Sequence, residues 1–147
     1  MSKVILITGA SSGLGKATAT LLAKRKYRVF GTCRIPEQHD PTIGYELLSL
    51  DLNQTDSVSQ VVAEVMQKAG RIDVLINNAG AGITGPVEET SLSAMQNHFT
   101  TNFFGPLSVA QQVLPVMREQ QSGLIINVTS IGGYMGLPFR GFYSASK

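Results

Sequence analysis

Tyr143 and Lys147 stand four residues apart in Tyr-Ser-Ala-Ser-Lys, a spacing that a helix sets on one face. The pair suits proton transfer. A phenol has a pKa near 10 and is a poor base at neutral pH, and a nearby lysine cation favours its ionised form. Ser130, further back, can donate a hydrogen bond to an oxygen on which negative charge grows. Carbonyl reduction needs such a donor and a proton for the developing alkoxide; the reverse reaction needs a base. Taken singly, these residues have plainer readings. A Tyr–Lys pair is often an exposed helix pair, and Ser130, Asn77 and Asn78 suit caps and turns. Their joint position at one sheet edge favours the chemical reading.

Pro106 adds a second feature. A helical proline clashes with the carbonyl four residues earlier and cannot donate to it; here that carbonyl belongs to Asn102. A kink would free it to hold a water, so that Asn102 could relay protons between Lys147 and solvent.

A phosphate cradle is expected near the start of the chain. After an apolar run come Thr8-Gly9-Ala10-Ser11-Ser12-Gly13-Leu14-Gly15, with glycines spaced G-x-x-x-G-x-G. Gly9 permits a tight turn, Gly13 close approach of backbone to a pyrophosphate, and Gly15 close helix–sheet packing. A helix opening near Leu14 would aim its N–H groups at the phosphates, with Ser11 and Ser12 as added hydroxyl donors. An ordinary glycine turn fits the spacing too. The second strand ends Gly31-Thr32-Cys33-Arg34. NAD would want an acid there, whereas an arginine accommodates the 2′-phosphate of NADP. Arg34 therefore points to NADP(H) over NAD(H); a solvated loop charge is the alternative.

The elements that must position these residues alternate. Strands are expected at Val4 to Ile7, Arg28 to Cys33, Tyr45 to Leu50, Val74 to Ile76 and Leu124 to Val128. Helices are expected at Leu14 to Ala23 and Asp56 to Ala69. A long helical segment is expected from Leu92 to Gln120, interrupted at Gly105-Pro106. Ile35 to Gly44 reads as a loop and Thr129 to Phe142 as a glycine-rich one, with a helix beginning at Tyr143. This is an α/β pattern: a doubly wound parallel sheet of the Rossmann type, strand order 3-2-1-4-5. Asn77 to Gly80 and Ser130 then share the carboxyl edge where ligands bind.

Composition excludes several classes. Hydrophobic residues make up 43% and charged residues 15%, a globular balance rather than a disordered one. The net charge of +2 is spread out, so no nucleic-acid footprint is expected. No metal site is expected. Cys33, the only cysteine, cannot form an internal disulfide, and no run is long enough for a signal peptide or a membrane span. A cytoplasmic protein is the expectation.

Together these motifs resemble the short-chain dehydrogenase/reductase family, with a finer similarity of Ser130 to Tyr143 to its steroid and retinol dehydrogenase branch. The resemblance implies a cofactor loop at Thr8 to Gly15 and a central-strand motif at Asn77 to Gly80. It also implies an adenine pocket at Asp51-Leu52 and a catalytic tetrad of Asn102, Ser130, Tyr143 and Lys147. The implied cofactor contacts are Gly9, Ser11, Ser12, Gly13, Leu14, Gly15, Arg34, Asp51, Leu52, Asn78, Ala79, Gly80, Tyr143 and Lys147. The implied activity is NADP(H)-dependent interconversion of a small-molecule carbonyl and a secondary alcohol. A catalytically inactive nucleotide-binding fragment or an NADPH-sensing module of the same fold is the alternative. Family members run to about 250 residues, so residues 1–147 read as one NAD(P)-binding domain cut after Tyr-x-x-x-Lys. A homo-oligomer, dimer or tetramer, is expected of the full-length protein. A chain of 147 residues alone is expected to associate through its fifth strand and through Phe99, Phe103, Leu107 and Val113, and not to turn over.

Overall fold

Alternate residues of the first strand, β1 (Val4–Ile7), feed opposite faces of one sheet. In the computed structural model, which describes residues 2–40 and 44–147, Val4 and Leu6 pack into one core and Ile5 and Ile7 into another. All four are buried, the mark of a strand covered on both faces. The further elements are α1 (Gly13–Lys24), β2 (Arg28–Cys33), β3 (Glu46–Ser49), α2 (Thr55–Ala69) and β4 (Val74–Asn77). They are followed by α3 (Leu92–Phe99), a π-helical turn (Thr100–Phe104), α4 (Gly105–Glu119), β5 (Leu124–Asn127) and α5 (Gly141–Ser146). All strand pairs are parallel, in the order β3-β2-β1-β4-β5. The expected order and fold class are observed.

Two cores hold the layers. On one face Leu6, Phe30, Leu48 and Leu75 meet Val58, Val61 and Val65 of α2 and Val109, Val113 and Met117 of α4. On the other, Ile5, Ile7, Val29 and Ile76 meet Ala19 of α1 and Tyr45. Each fully buried aliphatic or aromatic side chain contributes on the order of 1.5–3 kcal/mol. Gly70 (φ +70°) ends α2 in the left-handed conformation, its N–H donating to the Met66 carbonyl.

The long helical segment breaks earlier than its Gly105-Pro106 pair suggests. Without a Pro106 N–H to close the bond to Asn102, the winding slips by one residue, and Gly105 N–H donates to the Thr100 carbonyl. Of the four residues expected to face a tyrosine-bearing helix, Phe103 and Leu107 are exposed, Phe99 is half-buried and Val113 points into the sheet core. The helix that carries Tyr143 packs on α3 and begins at Gly141, two residues before the tyrosine. The loop expected over Ile35 to Gly44 contains a 3-10 turn at Pro36–Gln38, and residues 41–43 lie outside the described residues. Among the described residues, no helix is long and apolar enough to cross a membrane.

Candidate active site

The chain leaves β1 at Gly9 (φ +67°), where an added Cβ would lie 2.8 Å from Ala79 Cα. The loop after β1 is thereby pressed against the loop after β4. At Gly15 an added Cβ would run into the Gly9 carbonyl oxygen and Asn78 Nδ2, so both glycines are required by close approach. Gly13 (φ +52°) is different. No atom of the chain lies within 4 Å of an added Cβ, so within the chain it is the positive φ that calls for glycine.

Side chains then fasten this loop to its neighbours. Buried Thr8 accepts at Oγ1 from the Asn78 N–H at 3.1 Å and the Ala79 N–H at 3.0 Å. Asn78 Nδ2 donates in return to the Thr8 and Gly9 carbonyls, 3.0 Å each. Thr32 Oγ1 accepts from Gly9 N–H at 3.4 Å, and the Tyr45 hydroxyl donates to the Ala10 carbonyl at 2.6 Å. Burial pushes the Tyr45 phenol and the Cys33 thiol above their usual ranges; Ser11 and the Ile35 backbone, which hydrogen-bond the thiol, pull it the other way without cancelling the rise.

A cleft of about 480 Å³ opens beyond the carboxyl ends of these strands, within the usual size of small-molecule sites. Across the sheet its walls run from Asp51 and Leu52 after β3, through Arg34 after β2 and Gly9, Ser11, Ser12, Leu14 and Gly15 after β1, to Asn78, Ala79 and Gly80 after β4. The donor set fits a dinucleotide. Helix α1 has no acidic residue in its first turn and no side-chain cap from Ser12, whereas α3 is capped by Ser91 Oγ, which accepts from Ala94 N–H at 3.2 Å. Its N-terminal N–H groups and dipole are thus left for an anion. Arg34, exposed at the cleft, carries the guanidinium that a 2′-phosphate would meet. Three of the expected cofactor residues do not border the cleft. Gly13 lies with Lys16 in a depression along α1, and Tyr143 and Lys147 stand beyond Gly80.

Lys147 lines an adjoining recess of about 250 Å³, together with Asn77, Asn102 and Ser146 among others. Ala79 lines both cleft and recess, and next to it in the cleft wall is Gly80. An added Cβ there would lie 2.9 Å from Lys147 Nζ and 3.3 Å from Asn102 Oδ1, so the missing side chain leaves room for both. Lys147 Nζ also approaches the Val128 carbonyl at 3.5 Å. The loop after β5 folds over the phenol: a Cβ on buried Gly132 would lie 3.1 Å from Tyr143 Cε1. Ser130 takes the turn-cap role, its Oγ accepting from Gly132 N–H at 3.1 Å. That bond occupies a lone pair and leaves the hydroxyl proton to donate elsewhere. The Arg140 guanidinium lies 5.3 Å from the centre of the Tyr143 ring.

Asn102 is buried and its side chain is fully engaged. Oδ1 accepts from the Ala81 N–H at 2.8 Å; Nδ2 donates to the Ala81 carbonyl at 2.9 Å. Two further residues reach it, His98 of α3 and Ser146 of α5. Neither is singled out by the sequence, nor are the fastening roles of Thr8, Thr32 and Tyr45. The available signal for His98 was its place one turn before Asn102.

A family model described as short chain dehydrogenase matches residues 3–147. A 3-ketodihydrosphingosine reductase of Bacteroides thetaiotaomicron is 46% identical over 145 residues, covering 99% of this chain and 53% of its own. Human retinol dehydrogenase 8 is 38% identical over 157 residues, 99% of this chain and 50% of its own. Among solved structures, a short-chain dehydrogenase from Streptomyces avermitilis superposes with a TM-score of 0.94 at 38% identity, over 99% of this chain and 56% of that one. ElxO with NADP bound superposes at 0.89 and 30% identity, over 99% and 62%. The chain thus spans about half the length of the curated relatives it matches. Its motifs, its sheet and the match along nearly its whole length lead to one conclusion: the chain belongs to the short-chain dehydrogenase family.

Proposed function

We propose that this chain forms the nucleotide-binding part of an NADP(H)-dependent oxidoreductase that interconverts a carbonyl and a secondary alcohol. The observation that carries the reading is the convergence of Lys147 Nζ and Asn102 Oδ1 on Gly80, in the cleft wall beside Ala79, which cleft and recess share. When bound, the nicotinamide supplies the hydride chemistry. The N–H groups opening α1 hold the phosphates, Arg34 the 2′-phosphate, and Asp51 and Leu52 the adenine end. Tyr143 gives a proton to the developing alkoxide in reduction and removes one in oxidation. Ser130 donates its unused hydroxyl proton to the same oxygen. Asn102 and Lys147 lie on the path by which the phenol is reprotonated. NADP bound by ElxO supports the cofactor choice.

The substrate is apolar. Ile131 (68% exposed), Tyr134 (92%) and Phe139 (66%) project from the loop between Ser130 and Tyr143, and the curated relatives are named for a ketosphingoid base and for retinol. The reading extends to a cytoplasmic homo-oligomer, consistent with a single buried thiol and checked by cell fractionation and sedimentation. The direct test is oxidation of NADPH and of NADH by the full protein, given long-chain ketones. NADPH is preferred, and Arg34→Ala erodes the preference roughly tenfold or more, as loss of a charge-assisted hydrogen bond implies. Equal use of both cofactors by the unmutated protein overturns the assignment of Arg34.

A further inference from the structure

His98 is a buried imidazole, 5% exposed, whose Nε2 lies 3.0 Å from Asn102 Nδ2 and 3.1 Å from Ser146 Oγ. Which way the Asn102 amide faces is set by Ala81. Both the N–H and the carbonyl of Ala81 bond to that amide, and a flip would set donor against donor and acceptor against acceptor. Nδ2 therefore faces the imidazole and brings an N–H to it. A proton on Nε2 would place two donors 3.0 Å apart; a lone pair there satisfies Asn102. That geometry calls for a neutral imidazole with its proton on Nδ1. Burial lowers its pKa, and the charge of Lys147 lowers it further.

We infer that His98 is a positioning residue: its Nε2 lone pair holds the Asn102 amide on Ala81 and, through Ser146, ties α3 to the helix that carries Tyr143 and Lys147. Ser146 completes the tie by donating to the Tyr143 carbonyl at 2.9 Å or to the imidazole at 3.1 Å, while Asn102 Nδ2 lies 3.0 Å from its oxygen. Without the lone pair, the Asn102 N–H that faces His98 keeps only the Ser146 oxygen at 3.0 Å as an acceptor. The amide, still bonded to Ala81, is then held less firmly, and so is Oδ1 in the position beside Gly80 that it shares with Lys147 Nζ. Turnover suffers and cofactor affinity does not, because His98 borders no part of the nucleotide cleft. The inference rests on the functional reading above, in which Asn102 and Lys147 serve the reacting end of the cleft.

The test compares the full protein with its His98→Leu and His98→Gln variants. The Gln carbonyl can restore an acceptor near the place of Nε2. His98→Leu lowers kcat about tenfold or more with NADPH affinity unchanged, and His98→Gln recovers most of the loss. Retention of kcat by His98→Leu, or equal damage in both variants, overturns the inference. Nitrogen-15 NMR of the unmutated protein decides the geometry without any turnover: Nε2 is unprotonated and Nδ1 protonated at neutral pH. A proton on Nε2 sinks the proposal even where His98→Leu does not fold. Failure of the unmutated protein to reduce any ketone with NADPH counts against the functional reading, and the NMR result still judges His98.

Discussion

The cofactor cleft and the recess beside it are built by opposite means. The cleft is shaped by backbone. Gly9 and Gly15 let two loops touch, and Thr8 and Asn78 bind mostly to main-chain groups. The recess is shaped by side chains that meet one another: Asn102 and Ser146 line it and both meet His98, whose ring stands 6.1 Å from that of Tyr143. Backbone shaping suits a ligand whose phosphates bind N–H groups by position alone. Side-chain shaping suits chemistry, where proton donors must be specific groups at specific places. The difference implies that substitutions in the two regions fail differently. Those in the recess spare binding and stop turnover; those under the cleft weaken binding and stability together.

The sharpest way to break this contrast is Tyr143→Phe, which removes the hydroxyl and keeps the ring. It is expected to lower kcat by about 10²–10⁴-fold, the usual contribution of general acid–base catalysis. NADPH affinity stays within error, because the hydroxyl matters chiefly in the transition state. Steady-state kinetics and a fluorescence titration measure the two. Near-normal turnover assigns the proton to another group; a parallel loss of affinity erases the distinction between the regions.

The complementary change is Gly15→Ala. Its methyl group runs into the Gly9 carbonyl oxygen and Asn78 Nδ2, atoms held on both sides by hydrogen bonds and unable to retreat cheaply. Overpacking of this kind costs typically 1–3 kcal/mol. A melting temperature several degrees lower and a weaker NADPH affinity are expected together, since the same atoms carry the fold and face the ligand. Normal affinity in a destabilised variant uncouples them and shows that the cradle is not set by this contact.

The two regions also differed in how far they could be read in advance. The cleft was legible because its determinants are local: Val4–Ile7 is a short β-branched run closed by glycines, and Gly9, Gly13 and Gly15 lie within one turn of chain. At Gly13 a positive φ adds a second reason for glycine beside close approach to a phosphate, and the two favour the same residue. Tyr143 and Lys147 were legible as an i, i+4 pair. The network around Asn102 was not. His98 and Ser146 are 48 residues apart, and a lone polar residue on a helix gives no sign of its partner. Proline spacing marked a disturbance near Asn102 but placed it at Gly105-Pro106, because sequence does not show that a missing N–H can be absorbed by a one-residue slip of winding.

The smallest expected effect concerns pH, and it separates the regions without any catalytic assay. Under the cleft, the buried titratable groups Cys33 and Tyr45 are both pushed upward by burial, further from neutrality. In the recess, burial and the charge of Lys147 push His98 downward from its ordinary value near 6.5. Between its folded pKa and about 6.5 the unfolded chain binds more protons at His98 than the folded one, so stability there rises with pH. Stability from this group is full above about pH 6.5 and is lost as pH falls below it, with a slope of at most about 1.4 kcal/mol per pH unit. Among the described residues the charge facing the imidazole is Lys147, and the ring of Tyr143 stands 6.1 Å away. His98→Gln keeps an acceptor and cannot titrate. Urea unfolding of both proteins from about pH 7.5 to about pH 5.5 is therefore expected to show a steeper acid loss in the unmutated chain. Carboxylates titrate alike in both and cancel in the difference. Equal slopes would mean that the imidazole meets the same environment folded and unfolded, which contradicts a neutral ring held between Asn102 and Ser146.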